Sequence, residues 1–121
     1  MLRLLALLLA AAPVWTIAPA ALKDVKNPVA PADLAASVER GRALYGKECA
    51  SCHGPKGLGD GPDGLYFTTP PSNLTAPAVI KQSDAELFVK ITQGRGDMKA
   101  YEKVYDAAQR WDLVNAVRAL K

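Results

Sequence analysis

From Gly54 to Pro77 the chain carries five glycines and five prolines among 24 residues. Residues that break both helix and strand at this density exclude regular structure of any length there. A loop this long inside a compact domain needs a functional reason or an object to wrap around. Directly before it stand the only two cysteines and the only histidine of the sequence, as Cys49-Ala50-Ser51-Cys52-His53. The fold must therefore be built from elements on either side of the loop.

Those flanks read as helices. Leu34, Val38, Gly41 and Tyr45 fall at i, i+4, i+7 and i+11 along one helical face, which predicts a helix over 34–47 with Asp33 as its cap. Ser83-Asp84-Ala85-Glu86 has the pattern of a capping box, with Leu87, Phe88 and Ile91 behind it. It predicts a short helix stopping near Gln93, where Gly94 can take the left-handed conformation that closes a helix. Asp106 and Gln109 repeat the start signal. Trp111, Leu113, Val114, Val117 and Leu120 then make the apolar stripe of a last helix expected to run to the C-terminus. Strand alternation and internal repeats are both missing, so the expected fold class is all-α.

At the N-terminus Arg3 precedes an uncharged stretch, Leu4 to Leu22, rich in Leu and Ala. This is the pattern of a secretory signal, and Ala18-Pro19-Ala20 supplies the small residues that cleavage requires, so residues 1–20 are read as a signal peptide. The competing reading is an uncleaved membrane anchor, since about 18 apolar residues can span a bilayer. Pro13, Thr16 and Pro19 speak against a spanning helix. Residues 21–32, with Pro28 and Pro31, are expected to form an extended leader, and residues 33–121 one folded domain. The fifteen basic and twelve acidic side chains are scattered. Charge of this kind belongs to a solvated surface and asks for no nucleic acid.

Cys49-x-x-Cys52-His53 is the attachment signature of c-type haem. One helical turn between the thiols lets each sulfur reach a different vinyl group of one porphyrin, and His53 then points its imidazole at the iron. Three other chemistries use cysteine pairs. A local disulfide is the ordinary fate of two cysteines in an exported protein. A thioredoxin-like site would place the pair between a strand and a helix, and zinc would need a second pair of ligands that the sequence lacks.

From about Asp33 to Leu120 the chain resembles a small class I cytochrome c of the bacterial type. Gly41 and Tyr45 stand eight and four residues before Cys49, where that family has the glycine and aromatic of its first helix. Gly54 follows the histidine, Gly57-Leu58-Gly59-Asp60-Gly61-Pro62 resembles a glycine-rich loop of a bacterial subgroup, and Trp111 to Leu120 resembles the final helix. Ala116 departs from the pattern, standing where many relatives carry an aromatic at the helix crossing. The resemblance implies one covalently attached haem c, bound through Cys49 and Cys52, with His53 and Met98 as axial iron ligands. Met98 is the only methionine past Met1, and Gly94-Arg95-Gly96-Asp97-Met98-Lys99 is the loop where the family brings its sulfur to iron. The resemblance also implies that a proline carbonyl in the long loop, Pro62 or Pro71, accepts a hydrogen bond from His53. Tyr66, Phe67 and Trp111 are candidate pocket aromatics that plain core packing would explain equally well.

Two axial protein ligands leave no open coordination position, so electron transfer is the expected function, with redox proteins as donor and acceptor and no small-molecule substrate. The alternative is a haem subunit of a larger periplasmic or membrane oxidoreductase. A third reading is a peroxidase-like or ligand-sensing haem with Met98 displaced, although no second histidine is present to help such chemistry. Export implies a periplasmic location. Mass spectrometry of the mature protein is expected to find a new N-terminus near Ala21, whereas an intact Met1 in the membrane fraction would favour the anchor.

Overall fold

The protein is described here by a computed structural model covering residues 15–120. Most of the expected export signal, residues 1–14, and Lys121 lie outside the described residues. Six α-helices follow in order among the described residues. They are α1 (Pro19–Leu22), α2 (Leu34–Glu48), α3 (Ala50–His53), α4 (Pro77–Ile80), α5 (Asp84–Gln93) and α6 (Ala107–Arg118). The described residues form no strand, only an isolated bridge between Arg95 and Met98, and the fold is all-α. No helix among them is long and apolar enough to cross a membrane.

The crossing of α2 and α6 is the most extensive contact between elements. It forms where Gly41 has no side chain. A Cβ at that position would fall inside the van der Waals shell of the Asp112 carbonyl oxygen and lie 2.8 Å from the Ala116 Cβ. Ala116 is itself 2% exposed, so two small residues let the backbones approach, and there is no room at this point for the aromatic of many relatives.

The buried face of α2 differs from the expected stripe. Ser37, Gly41 and Tyr45 are the buried residues, while Leu34 is exposed and Val38 half-buried. The reason is polar. The Ser37 hydroxyl donates to Asp112 Oδ1 at 2.6 Å and accepts from Asn115 Nδ2 at 2.8 Å, and Arg40 closes over the same carboxylate through Nε at 2.9 Å. An apolar pattern cannot register a serine that packs by hydrogen bonding. Asp33 also differs from expectation, since its side chain makes no cap bond and a 3-10 turn over Pro31–Asp33 leads into the helix instead.

Both later starts rest on side-chain caps. Ser83 Oγ accepts from the Glu86 N–H, without the reciprocal bond of a full box. Asp106 and Gln109 make both bonds, at 2.8 and 3.0 Å. α5 ends at Gly94, whose φ of 61° is open to glycine at little cost. α6 stops at Arg118 rather than continuing to the end of the chain. The loop after His53 holds a 3-10 turn at Pro62–Tyr66, and α4 begins at its last residue, Pro77.

The apolar core joins Val79, Leu87, Trp111 and Val114, with Phe88 stacked on Trp111 at 4.1 Å between ring centroids. Val25 and Val29 pack against it. Asn27 Nδ2 donates to Asn115 Oδ1 at 2.7 Å and to Asp84 Oδ2 at 3.1 Å. The segment expected as a leader is thus free of regular structure through 25–30 but bound to the domain, and Ala21 and Leu22 lie in α1. Further upstream, the Trp15 carbonyl accepts a hydrogen bond from the nearly buried Lys90 ammonium at 2.6 Å.

Gly41→Ala is expected to lower the stability of the protein by about 2–3 kcal/mol, because the added methyl must push α6 away from α2. Denaturant unfolding measures the loss. A variant as stable as wild type would show that the crossing has slack that the close approach at Gly41 does not suggest.

Candidate functional site

α2 does not simply end at the cysteine motif. The Cys49 N–H donates to the Tyr45 carbonyl at 2.8 Å, and the His53 N–H to the Cys49 carbonyl at 2.8 Å, so α3 follows after a single non-helical residue. Cys49 and Cys52 therefore stand one turn apart on a short helix whose direction is set by α2. Both are free thiols, half-buried, and the local disulfide is not formed. Burial, reinforced by Glu48 and Cys52, pushes the Cys49 thiol up to about 12. At neutral pH it is a protonated and slow nucleophile.

The glycine-rich loop returns to the motif through its backbone. Gly59 N–H donates to the His53 carbonyl at 2.8 Å and Gly61 N–H to the Cys52 carbonyl at 3.0 Å. The His53 ring is held from the far side of the loop, where Nδ1 lies 2.9 Å from the Ser72 carbonyl. The expected anchor was Pro62 or Pro71; it is the residue after Pro71. Pro71 still bears on the arrangement, since its φ is fixed and it sits half-buried just before the accepting carbonyl. With a carbonyl oxygen as its partner Nδ1 is the donor, which leaves Nε2 as the nitrogen available to a metal.

Met98 lies in a tight turn between α5 and α6. Arg95 and Met98 exchange both backbone hydrogen bonds, each 3.0 Å, and the Met98 side chain is half-buried. The chain then returns along α5, Tyr101 N–H donating to the Ile91 carbonyl at 3.1 Å. Lys99, next to Met98 and the other side chain of this turn with a nitrogen that could compete for a metal, holds its amine over the Tyr101 ring at 5.6 Å.

Three tyrosines that the sequence did not single out as polar groups tie these pieces together. Tyr45 Oη donates to the Gly54 carbonyl at 2.6 Å, Tyr101 Oη to the Glu48 carbonyl at 3.2 Å, and Tyr105 Oη to Glu48 Oε1 at 2.9 Å. Burial, helped by Cys49, pushes the Tyr45 hydroxyl up to about 12 and raises that of Tyr101, so both remain donors. Tyr101 thereby joins the segment after Met98 to the helix end before Cys49. Of the candidate pocket aromatics, Trp111 is in the core, Phe67 is half-buried and Tyr66 is 88% exposed. Arg110, which the sequence reading passed over, buries Nε and Nη1 without a partner among the described residues.

A short helix with two reduced cysteines, a histidine whose ring is fixed through one nitrogen, and a closed turn that carries Met98 suit a haem attached through the pair. On this all-α fold they define a class I c-type cytochrome. The family model described as cytochrome c oxidase, cbb3-type, subunit III matches residues 36–115, and the chain belongs to that family. Membership implies haem c as the cofactor. No curated protein matches the chain. Among solved structures, a chain of the Kuenenia stuttgartiensis reducing HAO-like protein complex is similar, with 26% identity over 79% of this chain and a TM-score of 0.67. The present chain covers 49% of that one, about half its length.

The raised Cys49 thiol gives a direct expectation for the haem-free protein. Alkylation of Cys49 by iodoacetamide near pH 8 should run at least about a hundredfold slower than for an unhindered thiol, and should accelerate as pH rises toward 12. Peptide mapping of the alkylated protein measures this; an ordinary rate at Cys49 contradicts the burial described here.

Proposed function

We propose that this protein is an exported electron carrier with a single haem c, covalently bound through Cys49 and Cys52, and with His53 and Met98 as the axial ligands. The observation that carries the reading is the His53 ring, fixed through Nδ1 at the Ser72 carbonyl directly after the cysteine pair. When bound, haem c supplies a one-electron couple. The cysteines would hold it, and His53 Nε2 and the Met98 thioether, carried on the closed turn from Arg95 to Met98, would be the donors for its iron. A thioether favours the reduced state relative to a second imidazole, which supports a fairly positive potential.

Working as a subunit or fixed partner of a larger oxidoreductase is favoured over free shuttling by three observations. The family takes its description from an oxidase subunit, and the similar solved structure belongs to a protein complex. Leu65 and Tyr66, 86% and 88% exposed, also stand side by side on the turn whose entry, Gly61, is bonded to Cys52. Apolar side chains so open to water beside the attachment site suit a covering partner. Co-purification from native cells separates a stoichiometric partner from none. The export signal at Arg3 and the Leu/Ala run supports a periplasmic setting.

The test of the site is direct. The matured wild type should keep its haem stain on a denaturing gel, because thioether bonds survive denaturation, and Cys52→Ser should lose at least about half of it. Met98→Ala should lower the reduction potential and let the ferrous protein bind carbon monoxide. A wild type that loses its stain, or already binds carbon monoxide readily, contradicts the assignment.

A further inference from the structure

Trp15 stands upstream of the expected cleavage site, yet the fold makes use of it. Asn27 donates to Asp84 at the start of α5, and Trp15 meets Lys90 near the end of the same helix, so the segment from 15 to 27 runs back along α5. α1, between these two points, also touches α5. The Trp15 contact is of two kinds. Its carbonyl accepts from the Lys90 ammonium at 2.6 Å. Its ring lies under two cations, with Lys90 Nζ 5.2 Å and the Arg95 guanidinium carbon 5.0 Å from the centroid.

Each half of the contact meets a need of the chain. Lys90 is 8% exposed, forms no ion pair among the described residues, and has one other acceptor there, Gln82 Oε1 at 2.7 Å. A buried ammonium that loses an acceptor is destabilising. Burial lowers the pKa of Lys90 and the charge of Arg95 adds to the effect, so the two cations repel each other. The face of an indole attracts both. Arg95 is exposed, and an exposed arginine is ordinarily free to move; here the ring gives it a fixed place. It also opens the turn that carries Met98, directly after Gly94 ends α5, and its backbone exchanges both hydrogen bonds with Met98 at 3.0 Å. Holding Arg95 therefore holds the entry to that turn.

We propose that Trp15 belongs to the mature protein and is a positioning residue for Met98, acting through Arg95. The proposal rests on the reading that Met98 is an axial ligand of haem c. It also bears on processing, because a cut after Ala20 would remove Trp15. The mature chain then begins at or before Trp15, either uncut or processed further upstream, where Ala10-Ala11-Ala12 supplies small residues of the same kind.

The first test is the intact mass of the protein purified from its native cells. An N-terminus at or before Trp15 supports the proposal, and any later one, the expected Ala21 included, overturns it. The second test is Trp15→Leu in the matured protein, which keeps the carbonyl and removes the ring. Carbon monoxide reaches ferrous iron while Met98 is away from it, so the binding rate reads how often the turn opens. That rate and the amide exchange rate of Met98 should both rise about threefold to tenfold, while the amides of α6 keep their rates. Trp15→Phe keeps a ring and should restore most of the effect. Arg95→Gln should reproduce Trp15→Leu, and the double variant should go no further than either alone. If Trp15→Leu does not fold, Arg95→Gln decides by the same two rates. Unchanged rates overturn the proposal, as do effects of the two substitutions that simply add. Haem stain on denaturing gels separates the two readings. A wild type without stain defeats the haem assignment, and Met98 amide exchange still tests Trp15; stained variants with wild-type rates defeat only the role of Trp15.

Discussion

The approach of α2 to α6 at Gly41 sets the geometry on which the site depends. Apolar packing alone would fix the distance between two helices but leave their rotation loosely determined, because the hydrophobic effect has no direction. Here the rotation is set by hydrogen bonds. Ser37 lies between Asp112 and Asn115, with Asp112 only 5% exposed, and turning α2 by one residue would strand a buried carboxylate. Because α2 passes through Cys49 into α3, the same bonds aim the cysteines and His53. Asn27 reaches Asn115 from the N-terminal side, so the extended segment before α2 braces the far end of the crossing.

The two candidate iron ligands are held in different ways, and the difference follows from their chemistry. An imidazole has a second nitrogen, and fixing it to the Ser72 carbonyl orients the ring and selects the tautomer in one bond. A thioether has no such handle, so the chain must orient Met98 through its backbone, and the reciprocal bonds with Arg95 do this. Tyr101 then couples the two halves by reaching the Glu48 carbonyl. Anchors of this kind would hold the two side chains in place whatever the oxidation state of an iron between them, which is what electron transfer requires.

The motif Cys49 to His53, the caps at Ser83 and Asp106, and the stop at Gly94 were legible in the sequence because each is a local rule carried by a few adjacent residues. Ser37 and Arg110 were not. Ser37 is buried through partners 75 and 78 residues away, and no periodicity of apolar residues can announce that. Arg110 sits in a helix turn whose sequence gives ordinary helix propensity, and only the absence of an acid in the folded neighbourhood marks it. The accepting carbonyl at Ser72 was missed by one position for a related reason. A backbone oxygen carries no side-chain signature, so its place depends on the path of the loop, and that path is set by bonds such as Leu74 N–H to the Gly57 carbonyl. Leu34 erred in the other direction, being apolar, in register and still exposed.

The apolar core of Val79, Leu87, Trp111 and Val114 lies on α4, α5 and α6, while the loop from Gly54 to Ala76 is tied down chiefly by its backbone. A domain of about a hundred residues has little surplus stability, and a tightly bound apolar group contributes in proportion to how much better it binds the folded chain than the unfolded one. Covalent attachment changes that balance, because the group then stays with the chain in both states and only the difference in burial counts. A flat apolar cofactor fastened at the cysteines would give the long loop, whose Leu65 and Tyr66 face water, an apolar surface to lie against. The apolar packing of this fold thus lies on α4, α5 and α6, while the cysteine motif and the loop behind it rest on backbone hydrogen bonds that an apolar group beside them would shield from water.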